Sequence, residues 1–230
     1  MDYKNSSLNG ASTLMSRIFF WMSIALGLTA GIAYFLSESA TAMNTIMSHP
    51  ELFFAIFIAQ IALVLGMNYA FSRLSYTVLL FMFLLYAALT GATFSTLFLI
   101  YQIHSIAFVF LITAGMFLTM AIYGSITRHD LTTMGSLLGM TLWGLLLAML
   151  VNIYFKSTAF DTALSFLGVL IFAGLTAFDV QKLKQLSDQS INDKVMESKL
   201  SLIGAFTLYL DFLNMFLFAL QLFGKKKDSQ

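Results

Sequence analysis

Two aspartates stand where a carboxylate is costly. Asp179 lies in the string GLTAFDVQK and Asp211 in LYLDFLNMF, each among apolar residues. A charged carboxylate in hydrocarbon costs about 2.5–3.5 kcal/mol on insertion scales. Each must therefore face a bundle interior, a watery cavity or a partner group. Two carboxylates that share one site cannot both ionise cheaply, so they hold a proton between them. Without that proton they offer two anionic oxygen groups, the ligand type that suits Ca²⁺. Calcium takes about six to eight oxygens, so two side chains with carbonyls and water would bind weakly, which fits passage better than storage. Arg73 is a candidate third member, because a guanidinium beside Asp179 would favour its ionised form and tie two helices together. The plainer role for Arg73 is that of a basic anchor at a helix end.

Other chemistry finds less support. His49, His104 and His129 lie far apart, each near a helix end or loop, and are expected to be ordinary loop residues rather than ligands. With no cysteine, disulfides and thiolate metal sites are excluded. Ser125 and His129 lack the surroundings of a hydrolase nucleophile. Intramembrane aspartyl proteases also place one aspartate on each of two helices, but their GxGD motif is absent: Leu208, Tyr209 and Leu210 precede Asp211. Their Pro-Ala-Leu motif cannot exist either, since Pro50 is the only proline. No enzymatic activity is expected, and no cofactor beyond Ca²⁺ as a permeant ion. The net charge of +1 suggests no nucleic-acid partner.

The elements that must position these residues follow from composition. Of the 230 residues, 59% are hydrophobic and 10% charged, against about 45–50% and about 25% in a soluble domain. So few charges could not cover so much apolar surface in water; the solvent is lipid. The expected fold is all-α, an integral membrane protein. Seven stretches approach the roughly 20 apolar residues that a crossing helix needs. They are Ile18–Leu36, Leu52–Phe71, Val78–Ile100, Ile106–Ile126, Met134–Ile153, Ala159–Phe178 and Leu202–Phe223. This divides the chain into a polar, disordered N-terminal tail (1–17), a seven-helix domain (18–223) and a short basic tail (224–230). Gly27 with Gly31, and Gly135 with Gly139, form GxxxG steps expected to pack helices closely. The 24 phenylalanines and 14 methionines read as lipid-facing and gap-filling mass.

Basic residues orient the bundle. With the N-terminus inside, the inner face receives Lys4, Arg17, Arg73, Arg128, Lys182, Lys184, Lys194 and Lys199. The outer face receives Lys156, Lys225, Lys226 and Lys227, which makes the N-terminus cytoplasmic. If the last segment entered and left on one side, the tail lysines would join the inner group. Counting depth from the basic loop, Asp179 sits about one turn in and Asp211 about three, roughly 10 Å apart at 1.5 Å per residue. Spacing alone does not make them a pair.

At these residues the sequence resembles the Bax inhibitor-1 (transmembrane Bax-inhibitor motif) family. GLTAFDVQKLK and LIGAFTLYLDFLNMFLFAL carry the likeness, and LTGATFSTLF (Leu89–Phe98) and TAGMFLTMAIYGSITRHDL (Thr113–Leu131) resemble bacterial members. The resemblance implies six helices around a central seventh. It also implies a pH-sensitive calcium leak whose sensor is the aspartate pair, matched by Asp179 and Asp211, and a bacterial inner-membrane location. Arg73 matches an arginine that latches onto the first aspartate, although here Leu74 and Ser75 follow it where some members continue with arginines. The loop carrying Asp188, Asp193 and Glu197 could vary without touching the sensor. The leading expectation is thus a channel whose partners are the bilayer, Ca²⁺ and protons. The alternative is a regulatory membrane protein that modulates a membrane-bound AAA protease without conduction, its polar N-terminal tail being the working part. A proton-coupled transporter would be told apart by substrate-driven flux.

Overall fold

A computed structural model of the chain describes residues 2–71, 73–189 and 194–227, with side chains from Thr13 onward and, in the sixth span, as far as Ser187. Asp193 and the side chain of Asp188 lie outside the described residues. Among the described residues the chain forms α-helices and no strand. In order these are α1 (Asp2–Glu38), α2 (Ala40–Ser48), α3 (Pro50–Tyr69), α4 (Tyr76–Phe94), α5 (Leu97–Ile100), α6 (Ile103–Ile126), α7 (Thr132–Phe155), α8 (Thr158–Gln189) and α9 (Lys194–Phe223). Seven segments are long and apolar enough to cross a membrane, with α4 and α5 together making the third.

The spans are those expected, but several bounds differ. Helix α1 begins at Asp2, within the polar segment expected to be disordered. A helix already formed in the bilayer extends by gaining one hydrogen bond for each residue it fixes. Helix α8 does not stop at Phe178 but runs on to Gln189, and α9 starts at Lys194 rather than Leu202. Hydropathy marks where a helix leaves the lipid, whereas polar residues such as Gln181 and Lys184 remain good helix formers beyond that point. Helix ends follow local chemistry. Pro50 opens α3, where its missing N–H costs nothing. Ser39 and Ser75 accept the N–H of Ala42 and Val78 to cap α2 and α4.

The helices gather into two compact units that share α9. One takes in Met1–Tyr101, Ser187–Phe206 and Lys227–Gln230. In it α1 lies against α4: Thr29 Oγ1 donates to Ala87 O at 2.9 Å in a buried position. A Cβ on Gly91 would collide with Thr29 O and Ile32. Gln60 on α3 donates to Thr90 Oγ1 on α4 at 2.9 Å. Phe83 and Tyr86 meet the Phe206 ring edge-on, and Arg17 pairs with Glu197 at 3.7 Å.

The other unit takes in Gln102–Leu186 and Thr207–Lys226, hence α6, α7, most of α8 and the second half of α9. Phe110 and Phe117 on α6 pack edge-on against Phe212 of α9. Gln102 N donates to Lys225 O at 3.0 Å, and Lys225 N to Ser105 Oγ at 2.8 Å. These bonds fix Lys225 at the end of the unit where α6 begins. Helix α9 is the most buried span, with 72% of its apolar window inside the protein. Helices α3 and α7 are the least, at 6% and 11%, and present their apolar faces to lipid. The phenylalanines divide: Phe35 and Phe54 face outward, whereas Phe83, Phe206 and Phe212 are core; likewise Met22, Met67 and Met215 fill the interior while Met47 and Met140 are exposed.

The glycine steps divide in a way their spacing does not reveal. Gly27 and Gly31 face open space, and so does Gly139; no neighbouring helix uses them. Of the four, only Gly135 is packed, against the Phe178 ring. The close backbone approach lies elsewhere: a Cβ on Gly124 of α6 would overlap the Ala177 carbonyl of α8. A GxxxG pattern permits close approach, but the partner helix decides whether it is used.

Candidate functional site

Asp179 and Asp211 come together. Both lie in the second unit, one on α8 and one on α9, and their side chains are hydrogen-bonding neighbours. Asp211 is 6% exposed and Asp179 is half-buried. The fully buried Asp211 Oδ2 receives no N–H or O–H donor from the described residues. A bare carboxylate in that setting would leave desolvated charge unpaired. Lys182, one turn along α8, lies close enough for its charge to act on Asp179, and its Nζ stands 5.8 Å over the Phe178 ring. Asn214 does not satisfy Asp211: its Nδ2 donates to Leu210 O at 2.8 Å.

The depth count that separated the carboxyls by roughly 10 Å assumed that α8 and α9 leave the basic loop level with each other. The antiparallel register of the two helices decides otherwise. Ser165 Oγ donates to Gln221 Oε1 at 2.7 Å, and the Phe172 and Phe218 rings stack with centroids 6.0 Å apart. Continued along both helices, those two contacts set Asp179 opposite Asp211.

Three contacts hold the α8 side of the site. Gly124 brings the α6 backbone onto Ala177, Gly135 receives Phe178, and Gly174 receives Leu138 of α7. Beyond Asp179, Gln181 Nε2 donates to His129 O at 2.8 Å, while its Oε1 accepts the Leu131 N–H at 2.9 Å. Lys184 Nζ donates to Ser125 O at 2.7 Å. The α6–α7 turn is therefore clamped onto α8 just past the acid pair. His129 enters that clamp through its backbone, consistent with a loop residue. Gln181 and Lys184 were not singled out from the sequence; a buried-amide candidate one half-turn beyond Asp179 was the available signal.

Arg73 is exposed in the turn between α3 and α4 and belongs to the other unit. His49 is exposed and pairs with Glu51 at 2.7 Å. No group of three or more His, Cys, Asp or Glu side chains among the described residues could hold a metal ion.

Comparison with known proteins agrees with this architecture. The sequence pattern of the family described as "Inhibitor of apoptosis-promoting Bax1" matches residues 11–228. The chain is 42% identical over 219 residues to "Inner membrane protein YbhL" of Escherichia coli K12, covering 95% of this chain and 94% of that protein. An uncharacterized protein of Borreliella burgdorferi is 41% identical over 214 residues, covering 93% and 92%. The uncharacterized protein YrjE of Lactococcus lactis is 34% identical over 219 residues, covering 95% and 87%.

Proposed function

Because the chain belongs to the Bax inhibitor-1 family of membrane proteins, and two of its spans join their aspartates, we propose that it is a pH-sensitive calcium leak gated by the proton that Asp179 and Asp211 share. The observation that carries the reading is that Asp211, whose buried Oδ2 has no hydrogen-bond partner among the described residues, lies beside the Asp179 carboxyl. A protonated pair is a hydrogen bond between α8 and α9. Its deprotonated form is two like charges in one buried site, which repel each other and attract a divalent cation. Either change alters the contact between the helices, so proton occupancy is coupled to the seam's geometry. Arg73 would latch onto Asp179 in the state where that carboxylate is ionised. The name of the Escherichia coli relative supports an inner-membrane location, and the basic-residue count supports a cytoplasmic N-terminus.

The test is calcium influx into liposomes holding a calcium-sensitive dye, followed from acid to mildly alkaline pH. Wild type is expected to show a pH-dependent flux that Asp179→Asn and Asp211→Asn each flatten. Flux no greater than in protein-free liposomes at every pH would end the leak reading and favour a regulator of a membrane-bound AAA protease.

A further inference from the structure

Asp211 of the acid pair is buried, and a cation coming from the end where α8 begins must have a way to it. Along α8, Asp161, Ser165, Gly168, Phe172, Thr176 and Asp179 recur every three or four residues and so share one face. On α9, Gln221, Phe218, Asn214 and Asp211 recur in the same way in the opposite direction. The two faces meet at Ser165–Gln221, at Phe172–Phe218 and at Asp179–Asp211.

The chemistry along this seam changes twice. At the end where α8 begins, Asp161 and Gln221 are exposed and Ser165 is buried between them. Asn152 Nδ2 donates to Asp161 Oδ1 and, at 3.3 Å, to Ser157 O, so oxygens gather there. Next comes an apolar step. Phe218 stacks on Phe172 at an interplanar angle of 26°, both rings 7% exposed. Gly168 makes room for it, because a Cβ there would strike the Phe218 ring. Past the rings the seam turns polar again at Thr176, which is fully buried, and Asn214, and then reaches Asp211 and Asp179. At 1.5 Å per residue, Ser165 and Asp179 are about 21 Å apart along α8, with Phe172 midway. Two polar stretches with one aromatic layer between them have the form of a hydrophobic gate.

We propose that the α8–α9 seam is the route from the Asp161–Gln221 end to the acid pair, and that Phe218, seated on Gly168 and stacked on Phe172, is its seal. The inference rests on reading the Asp179–Asp211 pair as the ion's destination. The ring is the only part of the step on α9 that must move, and its neighbour Gly168 offers no side chain to hold it.

The absence of native cysteine makes single-cysteine accessibility free of background. Thr176→Cys and Gln221→Cys would each be made in the otherwise wild-type chain, and Thr176→Cys also with Phe218→Ala and, separately, Phe172→Ala. Proteoliposomes are then treated with a charged, membrane-impermeant thiol reagent. Cys at 221 is expected to react readily, and Cys at 176 at least tenfold more slowly. With either aromatic removed, the rate at 176 should rise at least tenfold, and calcium influx should rise with it. Phe218→Leu keeps the seal apolar and should leave 176 protected, which separates a seal from a folding defect. Protection at 176 unchanged in a monodisperse Phe218→Ala or Phe172→Ala protein would overturn the proposal. So would ready reaction at 176 in the wild-type background. Exposure of 176 on removing the ring without calcium influx in any variant would uphold the seal and overturn the calcium reading instead.

Discussion

Gly124→Ala is the sharpest test of how α6 and α8 hold the acid pair. The added Cβ would fall within the van der Waals shell of Ala177 O, and a backbone carbonyl in mid-helix cannot rotate away. The helices must separate by about an ångström to accommodate it. Overpacking of this kind costs about 1–3 kcal/mol. The gain in helix propensity offsets up to about 1 kcal/mol of that. For a chain of this length each kcal/mol moves the melting temperature by about 2–4 °C. Relative to Gly→Ala changes that share the propensity gain but meet no neighbour, thermal unfolding in detergent should therefore fall by roughly 2–12 °C, taking the two ranges together. Gly27→Ala and Gly139→Ala are internal controls. Neither Cβ would meet an atom within 4 Å, so both should hold or slightly raise the melting temperature. The strain falls two residues from Asp179, so Gly124→Ala should also displace the pH midpoint of calcium flux, whereas the controls should not. A Gly124→Ala protein as stable as Gly27→Ala would refute the packing argument.

Two further outcomes follow from the turn beyond the site. Gln181→Ala leaves the Leu131 N–H and the His129 carbonyl without their partner, at a cost of about 1–3 kcal/mol. Hydrogen exchange should show the Leu131 amide exchanging faster while the core of α9 is unchanged. Asp130 accepts the Thr132 hydroxyl at 2.6 Å and its backbone N–H at 2.9 Å, first the side-chain bond and then the backbone bond holding its carboxyl below the usual range. A depressed folded value contributes stability above the unfolded carboxylate range, and that stability is lost as pH falls through the folded value. The start of α7 should accordingly fray in acid, read as faster exchange at Thr132, and Asp130→Asn should remove that acid dependence.

Much of this architecture is legible in the sequence because lipid imposes a single rule. Every backbone polar group must be satisfied within its own helix, so a long apolar run can be little else. The two aspartates stand out for the same reason. What composition cannot carry is register. Whether Asp179 meets Asp211 depends on how α8 slides past α9, and that is set by Phe218 seating on Gly168, a contact between residues of ordinary type. The apolar run also stops at Phe178, although α8 continues through Gln181 and Lys184 to clamp the neighbouring turn. The glycine pairs mislead in the opposite sense. Gly27 and Gly31 have the spacing of a packing motif and no neighbour, whereas Gly124 has no motif and lies against the Ala177 backbone.

Infrared difference spectroscopy tests directly for the proposed proton between Asp179 and Asp211. The protein in lipid is titrated while the carbonyl stretch of protonated carboxyl groups is recorded beside calcium flux in the same preparation. A shared proton should give a protonated-carboxyl band absent from Asp211→Asn and Asp179→Asn, titrating with the same midpoint as the wild-type flux. A band unchanged in both variants, or a flux midpoint well away from the band's, would contradict it.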